Sequence, residues 1–341
     1  MRIKFWLIFL SLVAILFGGY LLYNQLSSKI VWKSETAPKT TYQYFSQLDG
    51  TGAASSSGQT PNVVGVMIDN HPDAWPPSGL DEARVVYEAP AEGGITRFFA
   101  IFDRAQKVAK VGPVRSARAY YLDWLREYGE ALYLHSGGSP EALELIKRDN
   151  IFDANEFYNG RYYWRSAERS APHNLYTSSE LWQQFLTITS AAHGASAWTG
   201  WKFGPLASGT SSEPVKEITL NYFVDYKVSW KFDASVGRYE RWVNGQKFIT
   251  AEGQIVYADN VLIQLTEMKV IDEIGRRAII TVGAGEGRVL REGKMIRGTW
   301  KKANPADRTK FYDVNSQEIP LSAGQTWVQI VPQNMVMEVT N

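Results

Sequence analysis

Short apolar runs separated by polar, turn-forming clusters dominate the chain from Asn62 to Asp103. VVGVMID (63–69), ARVVYEAP (83–90) and ITRFFAIFD (95–103) are rich in β-branched and aromatic residues, and each is bounded by Pro, Gly, Asn or Asp. Runs of this length and composition predict strands. Over residues 114–128 the period changes: Ala117, Tyr121, Trp124, Leu125 and Tyr128 recur at helical spacing, and Pro113 stands where a first turn tolerates it. ALYLH (131–135) reads as another strand. Ser139 then suits an N-cap and Pro140 a first helical position, opening PEALELIKRD (140–149). Strands alternating with helices predict an α/β N-terminal domain, a mixed sheet with helices, over residues 62–205.

Further along, ITLNYF, YKVSWKF, YERWVNGQKFI, NVLIQLTEM, RRAIITV, KMIRGTW, TKFYDV and TWVQIVP are all of strand length, and Asn244-Gly245 is a strong hairpin signal. They predict a smaller, mostly antiparallel β C-terminal domain over residues 206–341, with the Gly- and Ser-rich stretch 190–214 as the boundary. GAGEG (283–287) superficially matches a dinucleotide-binding loop, but no amphipathic helix follows it, so a hairpin turn is the better reading. At the other end Phe5–Tyr23 is uncharged, close to the ~20 residues a spanning helix needs. The run is longer than the apolar region of a cleavable signal peptide, and Arg2 and Lys4 lie just ahead of it. Residues 1–33 are therefore expected to form a cytoplasmic start and an N-terminal transmembrane helix, an uncleaved signal anchor that crosses the cell membrane once and leaves the body extracytoplasmic. Residues 34–61, ending in GTGAASSSGQTP, predict a flexible linker.

Composition then removes several classes of chemistry. Lys plus Arg is 36 against 35 for Asp plus Glu, so no global basic field draws in nucleic acid. The absence of cysteine removes disulfides, thiolate catalysis, Cys-type zinc sites and a lipid-bearing cysteine together. No metal-binding spacing links Asp69, His71, His135 and His173, so neither a metal site nor a cofactor is expected. What remains is polar. His135 falls at the carboxyl end of a predicted strand, and Ser136-Gly137-Gly138 leads into a helix start, a turn whose backbone N–H groups suit an anion. Arg115 and Arg118, three apart, supply positive charge from one helix face. In the opposing reading the glycines only shape a turn and the arginines pair with structural carboxylates.

Carboxylates offer the catalytic alternative. Asp69 ends the first strand, and Glu88 and Glu92 bracket Ala89-Pro90-Ala91. Carboxylates flanking a cleft would serve glycoside hydrolysis, one as acid and another as base or nucleophile. Equally, Glu88 and Glu92 neutralise Arg97, Arg115 or Arg118. A nucleophilic serine is disfavoured, because HSGGS is not the G-x-S-x-G elbow.

VMIDNHPDAWPPSGLDEARVVYEAPAEGGITRFFAIF, KVGPVRSARAYYLDWL, LYLHSGGSPEAL and APHNLY, with IRGTWKK, TKFYDV and GQTWVQIVP further on, resemble the YerB-like lipoprotein family of bacteria, whose biochemical function is unknown. The resemblance spans most of residues 62–334 in two consecutive regions. It implies attachment outside the cytoplasmic membrane and a two-part body, and supplies no catalytic residues. Its lipoproteins carry a lipidated N-terminal cysteine; this chain has none, so the run 5–23 stands in for the lipid. The matching stretches contain Asp69, Asn70, Glu88, Glu92, Arg97, Arg115, Ser116, Arg118, His135, Ser136, Gly137, Gly138, His173 and Asn174, at predicted strand ends and turns. One shared pocket is the expectation that follows. The function expected is an envelope protein that binds a polar or anionic ligand: a cell-wall glycan, a peptide carboxylate or a polymer phosphate. The alternatives are a cell-wall-modifying hydrolase or transferase using Asp69, Glu88 and Glu92, and a scaffold that docks other envelope proteins.

Overall fold

A computed structural model describes residues 17–21, 42–189 and 197–341. The span expected over Phe5–Tyr23 lies outside the described residues except for 17–21, which are helical. Among the described residues no helix is long and apolar enough to cross a membrane. Tyr42–Asn341 forms one compact unit.

The apolar runs form strands as their composition predicts: β1 (Val63–Ile68), β2 (Val85–Pro90), β3 (Thr96–Asp103) and β4 (Leu132–His135). Helix α1 spans Ala119–Arg126 and α2 Pro140–Arg148, followed by β5 (Asp153–Asn155) and α3 (Ser179–Thr189). Ser139 caps α2 as expected, its Oγ accepting from the Ala142 N–H at 3.3 Å. The second half supplies β6 (Glu217–Phe223), β7 (Tyr226–Asp233), β8 (Arg238–Val243), β9 (Asn260–Thr266), β10 (Gly283–Arg291), β11 (Lys294–Lys302), β12 (Lys310–Asp313), β13 (Thr326–Pro332) and β14 (Met337–Thr340).

One mixed sheet of 11 strands runs through both halves in the order β11-β10-β9-β13-β2-β3-β1-β4-β5, extended by Glu213–Pro214 and β12 beside β11. At its centre β13 lies parallel to β2, so the α/β region and the β-rich region share backbone hydrogen bonds. A second, antiparallel sheet, β8-β7-β6-β14, covers one face. Successive residues of a strand point to opposite faces. Hence Val64, Val66 and Ile68 enter a core shared with Trp230 and Trp182, whereas Val63 and Met67 enter one shared with Tyr121, Trp124 and Ala142 of α1 and α2. Burial on both faces accounts for the uninterrupted apolar runs.

Three local expectations are corrected. The helix expected over 114–128 begins only at Ala119, because Val114 and Arg115 are extended and donate to the Leu175 and Met67 carbonyls. GAGEG is not a turn but the start of β10: a Cβ on Gly285 would lie 2.7 Å from the Trp300 ring and one on Gly287 2.9 Å from Phe311, so the glycines make room for aromatics. Residues 42–61 of the expected linker are packed against the body, with Leu48 and Asp49 buried and Asp49 Oδ2 3.2 Å from Arg84; residues 34–41 lie outside the described set.

Candidate functional site

β1 is parallel to β4 and β4 to β5, and both β1 and β2 run antiparallel to β3. The carboxyl ends of all four strands therefore reach one edge of the sheet. Asp69, Glu92, Ser136 and Glu156 follow them there, at the edge where α/β sheets hold ligands.

Asp69 is buried and organises the first part of this edge. Its Oδ2 accepts a 2.8 Å hydrogen bond from His173 Nδ1, and its Oδ1 accepts from the His71 backbone N–H at 3.1 Å. Arg115 Nε lies 3.2 Å from the same Oδ2, a contact of charges without hydrogen-bond alignment. A carboxylate oxygen accepts, so in the neutral ring the proton sits on Nδ1 and Nε2 is the acceptor. The His71 ring stacks on His173 with centroids 4.6 Å apart. Asp69, Arg115 and His173, all expected in one shared pocket, are in contact in the fold.

A second chain of contacts continues along the edge. Ser136 Oγ donates to Glu156 Oε2 at 3.0 Å, Arg165 Nη2 reaches Glu156 Oε1 at 3.3 Å, and Arg165 Nη1 donates to Asn174 Oδ1 at 3.0 Å. Asn174 in turn donates to the Ser166 and Arg169 carbonyls, fixing its loop. Glu156 and Arg165 were missed in the sequence. Glu156 follows the short strand β5, and Arg165 lies in the two-residue strand Trp164–Arg165. Beside them Phe157, Tyr158 and Trp164 are exposed by 69%, 87% and 37%. Phe157 lies over Gly137, where a Cβ would meet its ring at 2.9 Å; with φ at +61° that position is doubly suited to glycine.

The Ser136-Gly137-Gly138 turn does not offer the expected cluster of free amides. Ser136 N–H donates to the Arg115 carbonyl, Gly137 N–H to Asn155 Oδ1, and Ser139 N–H to the Ala117 carbonyl. The turn is stitched to the extended strip 115–117, which also contributes the Ser116 carbonyl to Arg97 Nη1 at 3.0 Å. Nor does His135 face a ligand. It is fully buried, stacked on Tyr133, with Nδ1 2.7 Å from the Gly137 carbonyl and Nε2 3.0 Å from Asp153 Oδ2.

Glu88 and Glu92 have different fates. Glu88, fully buried, pairs with the equally buried Arg241, whose Nη2 lies 3.0 Å from Oε2. Its oxygens also accept from Thr96 Oγ1, Tyr226 Oη and Gln329 Nε2. Every donor faces inward, so the acid–base role considered for Glu88 does not fit: no substrate reaches the carboxylate. Burial raises the Tyr226 phenol above its ordinary range, with the Glu88 charge adding to it. Asn70 belongs to the same network, its Nδ2 2.6 Å from both Thr96 Oγ1 and Tyr226 Oη and its Oδ1 accepting from Trp75 Nε1. Glu92 instead grips Arg118 in a bidentate pair at 2.6 and 2.8 Å. Burial raises the Glu92 carboxyl, but the Arg118 hydrogen bonds and charge outweigh it and leave the pKa below its ordinary value. Arg118 thus has its carboxylate within the fold, and Glu92 is a poor general acid. Burial and the neighbouring Arg118 charge lower the Arg97 pKa.

The expected single pocket is not what the fold assembles. Arg115, His173 and Ser136 reach the rim with the buried Asp69 and Asn174 behind them, whereas Glu88, Asn70 and His135 are enclosed. Cavities of about 610 and 960 Å³ lie beside Leu48 and Arg104 and beside Trp201 and Phe203, away from this edge.

Residues 50–191 match the N-terminal domain, and residues 218–328 the C-terminal domain, of a family described as protein of unknown function (DUF3048). The chain is 33% identical over 282 residues to the Bacillus subtilis protein named "Putative lipoprotein YerB", covering 79% of this chain and 81% of that one. A crystal structure of YerB from Bacillus subtilis superposes with a TM-score of 0.76 at 28% identity, covering 87% of this chain and 99% of the other. The YerB-like resemblance is thereby established, and the chain belongs to the DUF3048 family, its two domains consecutive in one sheet-rich body.

Proposed function

We propose that this protein is a membrane-anchored, extracytoplasmic envelope protein that binds an anionic glycan or glycan-linked polymer at the carboxyl edge of its main sheet. The observation that carries the reading is the Ser136–Glu156–Arg165–Asn174 chain flanked by exposed Phe157, Tyr158 and Trp164. An aromatic face packs against the C–H face of a sugar ring while neighbouring polar groups meet its hydroxyls. Arg165, with its side chain 42% exposed, and Arg115, 27% exposed, supply charge for carboxylate or phosphate. The lipoprotein name of the relative supports the location, with residues 5–23 as this chain's anchor. A soluble secreted form beginning near Asn24 would overturn the anchor.

The test is co-sedimentation of the full-length chain, in detergent, with purified cell wall and with its extracted anionic polymer. Arg165→Ala and Trp164→Ala are expected to weaken binding, Arg165→Ala roughly 10-fold or more in line with about 1.5–3 kcal/mol for a hydrogen bond to a charged group, while thermal unfolding changes little because the Arg165 pair is partly exposed. Wild-type protein that stays in the supernatant, or variants that bind as well as wild type, would sink the reading. The carboxylate-enzyme alternative loses Glu88 to the core and retains at this edge only the Asp69–His173 pair.

A further inference from the structure

His71, Asp73 and His173 were not linked by any sequence spacing, yet the fold gathers them outside the Ser136–Glu156–Arg165 chain. Each offers one ligand atom, and these atoms lie within 4.8 Å of one another. We infer that they form a binding site for a divalent transition metal ion of the zinc class.

Three observations carry the inference. His71 Nδ1 lies 3.5 Å from Asp73 Oδ2, near the edge of about 3.4 Å of a tetrahedron around zinc with bonds of about 2.1 Å. His71 Nδ1 also accepts from the Asp73 N–H at 3.2 Å, so this nitrogen already carries a lone pair, and the bond that an ion displaces is a long one. His173 is oriented by Asp69, whose Oδ2 accepts a 2.8 Å hydrogen bond from Nδ1, the carboxylate–histidine arrangement that orients an imidazole ligand and raises its basicity. Asp69 is itself buried, whereas the His71 and Asp73 side chains are 40% and 73% exposed, so the support is rigid and the ligands are open to an arriving ion.

The donor set defines the ion. Two imidazoles and one carboxylate suit Zn²⁺, Co²⁺, Ni²⁺ or Cu²⁺, whereas Mg²⁺ and Ca²⁺ prefer oxygen alone. Three protein ligands leave a fourth position for water or for an oxygen of a bound anion. Closure needs the ligand atoms, now within 4.8 Å of one another, to draw together by up to about 1.4 Å and the His71 ring to turn out of its stack on His173 so that both lone pairs meet one ion; His71 and Asp73 stand on the short turn Pro72–Ala74 and its N-cap, which can make that movement. The site goes beyond the glycan reading and does not depend on it, because the ion binds with no polymer present.

The experiment titrates metal-stripped full-length chain, in detergent and without any glycan, with Co²⁺ followed by visible absorption and with Zn²⁺ followed by calorimetry. One ion per chain is expected, with the intense bands of four-coordinate cobalt. His71→Ala, Asp73→Asn and His173→Ala should each weaken binding at least roughly 10-fold, and Asp69→Asn roughly 10- to 100-fold by releasing His173. His71 is on an exposed turn, so His71→Ala tests the site even if Asp69→Asn fails to fold; thermal melts check each variant. Absence of Zn²⁺ binding up to about 1 mM, the weakest affinity of interest here, would overturn the site. So would wild-type affinity in folded His71→Ala and His173→Ala.

Discussion

Replacing Glu88 by Gln takes one charge from an ion pair in which neither side chain is exposed. Arg241 stays behind among the rings of Phe98, Trp230, Phe248 and Trp327, with centroids 4.7–5.8 Å from its guanidinium carbon. Those rings offset part of its desolvation. They do not replace the carboxylate, because Arg241 Nε and Nη1 already have no hydrogen-bond partner and Nη2 alone bonds Glu88 and Tyr226. The new amide would also point a donor at Gln329 Nε2 or Thr96 Oγ1, which now donate to the carboxylate. Breaking a buried pair from one side costs about 3–5 kcal/mol. For the Tyr42–Asn341 unit, of roughly 300 residues, unfolding entropy is about 0.6 kcal/mol per kelvin, so Tm should fall by about 5–8 °C. The assay is thermal and urea unfolding of Glu88→Gln, Arg241→Met and the double variant. Because each single change strands the other partner, the double variant should be less destabilised than the sum, by about 2 kcal/mol or more. A loss under about 1 kcal/mol in Glu88→Gln, or strict additivity, would refute a structural pair whose two members depend on each other.

Glu92 gives a pH prediction. Its carboxyl is depressed in the fold from the ordinary 4.5, so its pair with Arg118 contributes fully above that value, and the contribution is lost as pH falls from there through the folded pKa. Glu92→Gln should flatten the acid limb of Tm against pH; an unchanged limb would remove Glu92 from acid unfolding. Glu127, the buried C-cap of α1, meets Lys302 Nζ at 2.6 Å and Arg308 Nη1 at 3.0 Å. Glu127→Gln leaves two buried cations and should cost about 3–5 kcal/mol in urea unfolding; a loss under about 1 kcal/mol would show that they find another partner.

Much of this fold is local and is written in the chain. Val63–Ile68, Thr96–Asp103 and Leu132–His135 are strands because short β-branched and aromatic runs between turn residues have few other stable forms. Ser139-Pro140 starts a helix, and Asn244-Gly245, with φ of +49° and +75°, turns a hairpin, for reasons contained in those residues. The polar residues of the carboxyl edge were legible in the same way, as strand-end residues. Their roles were not. Asp69 and Glu88 are both buried carboxylates at or near the end of a predicted strand, yet one supports His173 and Arg115 just behind the rim and the other meets Arg241, 153 positions away. Arg241 sits at an inward position between Tyr239 and Val243, a parity that hints at burial but names no partner. His71, Asp73 and His173 likewise share no spacing and meet only because the loop after β1 and the loop before α3 close over the same edge. The parallel pairing of β13 with β2 unites the two sequence regions, and it too lies beyond local pattern. Propensity and periodicity act over a few neighbouring residues, whereas pairing, burial and charge compensation are set by whichever distant segment the packed chain brings alongside.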